Sequence, residues 1–299
     1  PSGSLAAQEM GYVAAVSGAD IAANPTLTDE DSIGANGLEQ QYDAVLRGQN
    51  GQQQVLLDPR GDIAEYGPVI PARAGDTLIT SLDASVQTLA EQALSRQIDA
   101  SRRSGYAATG GAIVVMDPQT GRIIALASYP TFDLTLFSGG ISTADYARLT
   151  AAGNGDPLLS RAVAGQYAPG STFKLVSASA DVMSGAATLS GKYACPGSMN
   201  VGGIVKTNFD SEGYSYPLTL QQALAVSCDT WFYSFAAQDW SADQQRADDG
   251  QPPVEGLQQM AREFGFASAP NVDLPADEQA AGSIAGRESR QQNWEANKQ

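Results

Sequence analysis

Two short clusters of reactive side chains stand out in the 299-residue chain: Ser171-Thr172-Phe173-Lys174 and, 56 residues on, Ser227-Cys228-Asp229. Side chains three apart on a helix share a face, so Ser171 Oγ and Lys174 Nζ are able to meet. A neutral lysine accepts a proton, burial favours the neutral form, and a serine beside such a lysine is an activated nucleophile. A helix start at Ser171 also aims free backbone N–H groups at an incoming carbonyl oxygen, which favours a tetrahedral oxyanion. In the second cluster a serine and a carboxylate two residues apart are able to face one cleft. Ser227 there relays a proton and Asp229 holds the lysine or a substrate amide. Each cluster alone has a plainer explanation: a capping serine with an exposed lysine one turn on, and a capping serine or aspartate ahead of the next helix.

Composition sharpens the choice. The chain contains no histidine, which excludes Ser-His-Asp and Cys-His catalysis and histidine-based zinc sites within it. A lysine base is what remains for serine chemistry. Lysine and arginine number 17 against 33 aspartate and glutamate, a net charge of −16, so nucleic acid is not an expected partner. No Cys-x-x-Cys spacing exists, and neither metal nor cofactor is expected. The two cysteines, Cys195 and Cys228, pair in an oxidising compartment or stay free; the sequence leaves both open. The apolar runs Ile113–Met116 and Ile123–Ala127 fall far short of the ~20 residues that cross a bilayer. The first residues lack the basic start of a signal peptide, so an export signal or anchor is expected outside the sequence.

The elements that must carry these residues can be read in outline. Leu38, Tyr42, Val45 and Leu46 recur at helical spacing up to Gly48, and Gln52–Asp58 alternates as a strand before the turn Asp58-Pro59-Arg60-Gly61. Thr77–Ser81 reads as a short strand. Asp83 caps a helix carrying Val86, Leu89, Ala90, Ala93 and Leu94, with its polar end and a loop over Ser95–Thr109. Gly110–Ser128 is a hairpin turned at Asp117-Pro118-Gln119-Thr120-Gly121. Helices are expected over Ser171–Val182, Thr219–Val226, Thr230–Ala237 and Val254–Phe264, with Ser241–Pro253 an acidic loop. The class is α/β (α+β).

At these residues the chain resembles the penicillin-binding proteins, more narrowly the monofunctional class B transpeptidases, whose signature includes S-x-x-K and S-x-N. Tyr167-Ala168-Pro169-Gly170-Ser171-Thr172-Phe173-Lys174 is similar to the family's nucleophile region. The likeness extends along the chain. Ser32-Ile33-Gly34, Gly37-Leu38-Glu39, Tyr42-Asp43 and Leu46-Arg47-Gly48 resemble the end of an N-terminal pedestal domain. Gly75-Asp76-Thr77, Leu82-Asp83, Gln87, Ala90-Glu91 and Ala93-Leu94 resemble the start of the transpeptidase domain. Gly110-Gly111-Ala112, Asp117-Pro118, Thr120-Gly121, Tyr129-Pro130 and Phe132-Asp133 resemble its first hairpin. Arg161-Ala162, Phe264-Gly265-Phe266 and Asp273-Leu274-Pro275 follow in order.

The resemblance implies a transpeptidase fold shared with serine β-lactamases, a mainly antiparallel sheet flanked by helices. Residues 1–73 would be the C-terminal part of the pedestal and 74–299 the transpeptidase domain. Ser171 would be the acylated nucleophile, Lys174 its base, and Ser227 and Asp229 the second motif; aspartate at that third position resembles the elongation-type subgroup. Substrates would be D-Ala-D-Ala stem peptides of peptidoglycan, with β-lactams as covalent inhibitors. Partners would be a glycan polymerase and other envelope proteins, with a membrane anchor outside the chain and action on the extracytoplasmic face of a bacterial membrane. A serine β-lactamase, a β-lactam sensor or DD-carboxypeptidase, a bifunctional glycosyltransferase–transpeptidase and a non-catalytic scaffold are the competing readings. About 170 residues precede the nucleophile, more than a compact β-lactamase needs, and Glu212 and Glu255 sit in no recognisable deacylation loop. Nothing in residues 1–73 resembles a glycosyltransferase.

The family's third motif, Lys-Thr/Ser-Gly, is not found. The nearest string, Lys206-Thr207-Asn208, precedes the second motif, lacks the glycine and reads as a coincidental loop. Both ends therefore look truncated, and the isolated chain is expected not to turn over a D-Ala-D-Ala substrate. Measured turnover by the isolated chain would overturn that expectation.

Overall fold

The computed structural model describes residues 3–298. The chain divides into two compact units, one of residues 1–166 with 270–280, the other of 167–269 with 281–299.

The first unit opens with helix α1 (Ala7–Met10), strand β1 (Val13–Ala15), α2 (Gly18–Ala23) and β2 (Ser32–Gly34), and β1 pairs antiparallel with β2. Helices α3 (Gly37–Gln41) and α4 (Asp43–Leu46) follow. The helical spacing around Leu38–Leu46 is thus present but broken at Tyr42, whose hydroxyl bonds the Asp273 carboxylate. Gly48, with φ 72°, then turns the chain where a Cβ would meet the backbone of Arg73 to Gly75.

An antiparallel hairpin of β3 (Gln52–Leu57) and β4 (Ile63–Ile70) follows. The expected strand at Thr77–Ser81 is not formed. That segment has no ladder partner; Ser81 Oγ donates to Ile123 O at 2.6 Å and the Asp83 N–H to Ile124 O at 2.9 Å.

Helix α5 (Ala84–Arg103) is capped by Asp83, which accepts from the Ser85 and Val86 amides. It runs well past Ser95, because its apolar face continues through Leu94 and Ile98. That face packs on the hairpin β5 (Gly111–Met116) and β6 (Ile123–Tyr129), burying Ala90, Leu94, Ile98, Ala125 and Ala127. Buried Gln87 completes the docking: its side chain accepts the Leu126 N–H at 2.8 Å and donates to the Leu126 carbonyl at 2.5 Å. It satisfies a strand position as a neighbouring strand would. Helices α6 (Thr143–Leu149) and α7 (Arg161–Ala164) complete the unit.

The second unit begins with a 3-10 turn (Gly170–Phe173) that runs straight into α8 (Lys174–Met183). Two small antiparallel pairs follow: β7 (Lys192–Tyr193) with β10 (Leu218–Thr219), and β8 (Ser198–Val201) with β9 (Ile204–Thr207). Lys206-Thr207 therefore lies on an exposed hairpin strand rather than in a loop. Helix α9 (Leu220–Ala225) opens on a capping box of Thr219 with Gln222. Then come α10 (Asp229–Asp248), α11 (Gly256–Glu263) and α12 (Arg287–Ala296).

Helix α10 absorbs most of the expected acidic loop. Its residues there are tolerable helix formers, and the Asp243 carboxylate accepts the Val254 and Glu255 amides at 2.7 and 2.9 Å. The core of the unit is built on the aromatic start of α10. Trp231, Phe232 and Phe235 pack with Leu218, Leu220, Ala223 and Ala178, and Tyr193 meets Trp231 and Phe235 edge-on.

Two buried carboxyls carry a pH signature. Burial pushes Glu9 up to about 7 against the opposing bond from Ser160. Burial, reinforced by Asp239, pushes Asp181 on α8 up to about 7, and its Oδ2 has no partner. A carboxyl raised on folding stabilises the native state below its unfolded value near 4, and that contribution is lost as pH rises through about 7. Asp181→Asn is therefore expected to stabilise the protein by about 1–2 kcal/mol at pH 8 and by close to nothing at pH 4. Urea unfolding at the two pH values checks this; an equal effect at both would refute it.

Candidate active site

Ser171 sits in the 3-10 turn rather than inside an α-helix. Residues i and i+3 eclipse one another in that geometry, which places Lys174 directly over it. Lys174 Nζ donates to Ser171 Oγ at 3.2 Å. Ser171 is exposed while Lys174 is buried.

The second motif comes to the same point. Lys174 Nζ donates to Ser227 Oγ at 2.9 Å and to the Ser227 carbonyl at 2.7 Å, and it lies 2.6 Å from Asp229 Oδ1. Ser227 Oγ donates to Ser171 Oγ at 3.0 Å. All four residues expected from the sequence thus converge within one unit. An ammonium has three protons, and four acceptors surround this one. The Ser171 contact is the longest of the four, so it is the one most readily reversed to let Lys174 accept.

The turn that presents the motif is strained. Ser227 has φ 53°, a left-handed conformation that costs a non-glycine residue about 1–2 kcal/mol. From there exposure alternates: Ser227 exposed, Cys228 buried, Asp229 half-buried, Thr230 buried. Cys228 is the N-cap of α10 and is joined in a disulfide to Cys195, 33 positions earlier in sequence. This settles the pairing that the sequence left open.

Asn208 was passed over in the sequence as part of a chance match, and it lies buried at the centre of this region. Its carboxamide accepts the Thr230 N–H at 3.0 Å and donates to the Pro196 and Glu212 carbonyls at 3.1 and 2.5 Å. No local signal marks it, since its partners lie 12 residues before it and 4 and 22 residues after it. No group of His, Cys, Asp and Glu among the described residues is arranged to hold a metal, and no described helix is long and apolar enough to cross a membrane.

Comparison with known proteins bears on this geometry. Residues 111–293 match the model of the penicillin-binding protein transpeptidase domain, and residues 1–80 that of the penicillin-binding protein dimerisation domain. The chain belongs to the penicillin-binding protein family. Within it, the chain falls in the class B, elongation-type branch, where the dimerisation domain precedes the transpeptidase domain.

It is 33% identical over 282 residues to the peptidoglycan D,D-transpeptidase MrdA of Acinetobacter baumannii, covering 93% of this chain and 38% of that protein. It is 30% identical over 303 residues to MrdA of Escherichia coli K12, covering 98% of this chain and 43% of that one. The chain thus spans less than half the length of these relatives. Among solved structures, a chain of a peptidoglycan synthase complex that coordinates polymerization and crosslinking superposes with a TM-score of 0.77 at 31% identity, covering 98% of this chain and 48% of that one. Helicobacter pylori PBP2 in complex with MreC gives 0.77 at 24% identity, covering 98% and 49%, a likeness of fold. The expected transpeptidase fold is borne out.

The disulfide closes a long loop in the second unit. Replacing both cysteines, Cys195→Ala with Cys228→Ala, is expected to lower stability by about 3 kcal/mol through the freed denatured chain. Urea unfolding of the oxidised protein and the double variant measures it; equal midpoints would show that the bond contributes nothing.

Proposed function

We propose that this chain carries the acylation site of a serine D,D-transpeptidase that cross-links peptidoglycan stem peptides. The observation that carries the reading is the position of Lys174 Nζ within hydrogen-bonding reach of Ser171 Oγ, Ser227 Oγ and Asp229 at once, in a chain without histidine. Relatives named as peptidoglycan D,D-transpeptidases over almost the whole chain support it.

In this reading Lys174, as the free amine, takes the Ser171 proton while Ser171 Oγ attacks the penultimate D-Ala carbonyl. The ammonium that results is held by Asp229 and the Ser227 carbonyl. Ser227 Oγ bridges Lys174 and Ser171 and passes a proton on to the departing D-Ala amine. The acyl-enzyme on Ser171 is then resolved by an amine of a neighbouring stem peptide, which returns a proton to the same relay. A β-lactam presents a cyclic mimic of the D-Ala-D-Ala terminus and stops at the acyl stage. No step calls for a metal or cofactor.

We divide the chain at Arg73, with residues 1–73 the C-terminal part of the pedestal and 74–299 the transpeptidase domain; the two family matches, 1–80 and 111–293, support that division without fixing the boundary. The protein would act on the extracytoplasmic face of the bacterial membrane. Relatives solved in a synthase complex and with MreC make a glycan polymerase and other envelope proteins the partners to look for.

Intact-protein mass of the full-length protein with and without benzylpenicillin, followed by peptide mapping, tests the proposal. A penicilloyl adduct on the Ser171 peptide is expected, and Ser171→Ala should abolish it. Asp229→Ala should slow acylation by roughly ten- to a hundredfold, because the lysine loses its one charged partner. Labelling that persists in Ser171→Ala would sink the assignment.

A further inference from the structure

The second motif is held by residues outside it as well as by its own. Ser227 is in a left-handed conformation, and the helix that follows starts with free N–H groups that its own first turn cannot satisfy. Cys228, the N-cap, offers only a disulfide sulfur, 3.3 Å from the Trp231 N–H, and sulfur is a weak acceptor. The Thr230 N–H is bonded instead by Asn208 Oδ1 at 3.0 Å. A residue 22 positions earlier therefore supplies the oxygen acceptor that the first turn lacks.

The other side of Asn208 fixes where that cap stands. Its Nδ2 donates to the Pro196 and Glu212 carbonyls, and the Thr230 hydroxyl donates to the same Pro196 carbonyl at 2.7 Å. The two segments on either side of the β8–β9 hairpin are laced together by Asn208 N–H to Gly197 O at 3.2 Å and Tyr214 N–H to Cys195 O at 2.8 Å. Their approach is so close that a Cβ on Gly197 would collide with the Ser211 carbonyl, and one on Gly213 with Gly197 itself. The Cys195–Cys228 bond ties this frame covalently to the motif. Asn208, Thr230 and both cysteines are buried, so none of them reaches a substrate.

We propose that Asn208 is a positioning residue for transpeptidation: with Thr230 and the Cys195–Cys228 bond it clamps the Ser227–Asp229 turn so that Ser227 and Asp229 meet Lys174. The inference rests on the reading of Ser171 and Lys174 as nucleophile and base. It extends the site to residues that touch neither substrate nor reacting atoms. The clamp acts through the backbone, by fixing the direction from which the carboxylate and the hydroxyl approach the lysine.

The test separates rate from folding. In the full-length protein, acylation by a fluorescent penicillin is followed in time, resolving the amplitude (the competent fraction), the noncovalent affinity and the acylation rate constant. Asn208→Ala is expected to cut the rate constant roughly ten- to a hundredfold, with affinity changed no more than about twofold and the loss retained in the competent fraction. Thr230→Val keeps the N–H and removes the hydroxyl's bond to Pro196 with its weaker contacts to the Cys195 and Cys228 sulfurs, and should lose less, in the same parameter. Should Asn208→Ala fail to fold, Thr230→Val decides. Rate constants within about twofold of the parent, with losses confined to amplitude or melting temperature, would overturn the proposal and make Asn208 a purely structural residue.

A second arm does not depend on acylation. A crystal structure of either variant should show the Lys174–Asp229 contact opened from 2.6 Å; an unchanged contact would overturn the clamp. If the parent protein itself forms no Ser171 adduct, the reading of the active site fails, and the crystallographic arm still decides the clamp.

Discussion

A buried lysine head group has to be satisfied by whatever surrounds it, and around Lys174 that means two serine hydroxyls, one backbone carbonyl and one carboxylate. Only the carboxylate carries charge. The remaining partners are neutral, directional and effective only at hydrogen-bonding distance, so the arrangement tolerates little drift. Much of the second unit can be understood as meeting that requirement. The 3-10 turn stacks Ser171 on Lys174, α8 buries the stem, and the start of α10 delivers Ser227 and Asp229 from the opposite direction.

The aromatic start of α10 gives that delivery its rigidity. Trp231, Phe232 and Phe235 are buried together, and truncation of such a side chain typically costs about 3–5 kcal/mol. The Phe232 ring also lies 5.8 Å from Lys174 Nζ, so the hydrophobic core reaches the polar site with no layer between them. The helix is anchored at the end that matters and becomes progressively polar and exposed toward Asp248.

What the sequence disclosed and what it withheld divide along physical lines. Ser171 with Lys174 was legible because three residues on one turn fix a contact locally. Asp83 as a cap and the β5–β6 hairpin were legible for the same reason, each being set by chemistry within a few positions. Ser227 and Asp229 could be paired with the first motif only because both motifs were recognised together. The long α10 and the unformed strand at Thr77–Ser81 escaped because each is decided by a tertiary partner: Asp243 accepting the Val254 and Glu255 amides, and the Ile123 and Ile124 carbonyls bonded by the Ser81 hydroxyl and the Asp83 N–H instead of by a strand ladder. Asn208 was invisible for the strongest version of that reason. Its three bonds reach across 4, 12 and 22 residues, and no composition or period announces them.

The alternation of exposure across Ser227, Cys228, Asp229 and Thr230 has a consequence for how such a site can change over generations. Odd-numbered positions look toward the chemistry and even-numbered ones toward the interior. A substitution at an odd position alters a reactive group directly while leaving the interior intact, and one at an even position keeps every reactive group but shifts where it stands. Identity and placement of the reactive groups are thus written on alternate letters of a four-letter word, and a change in either reaches the chemistry by its own route.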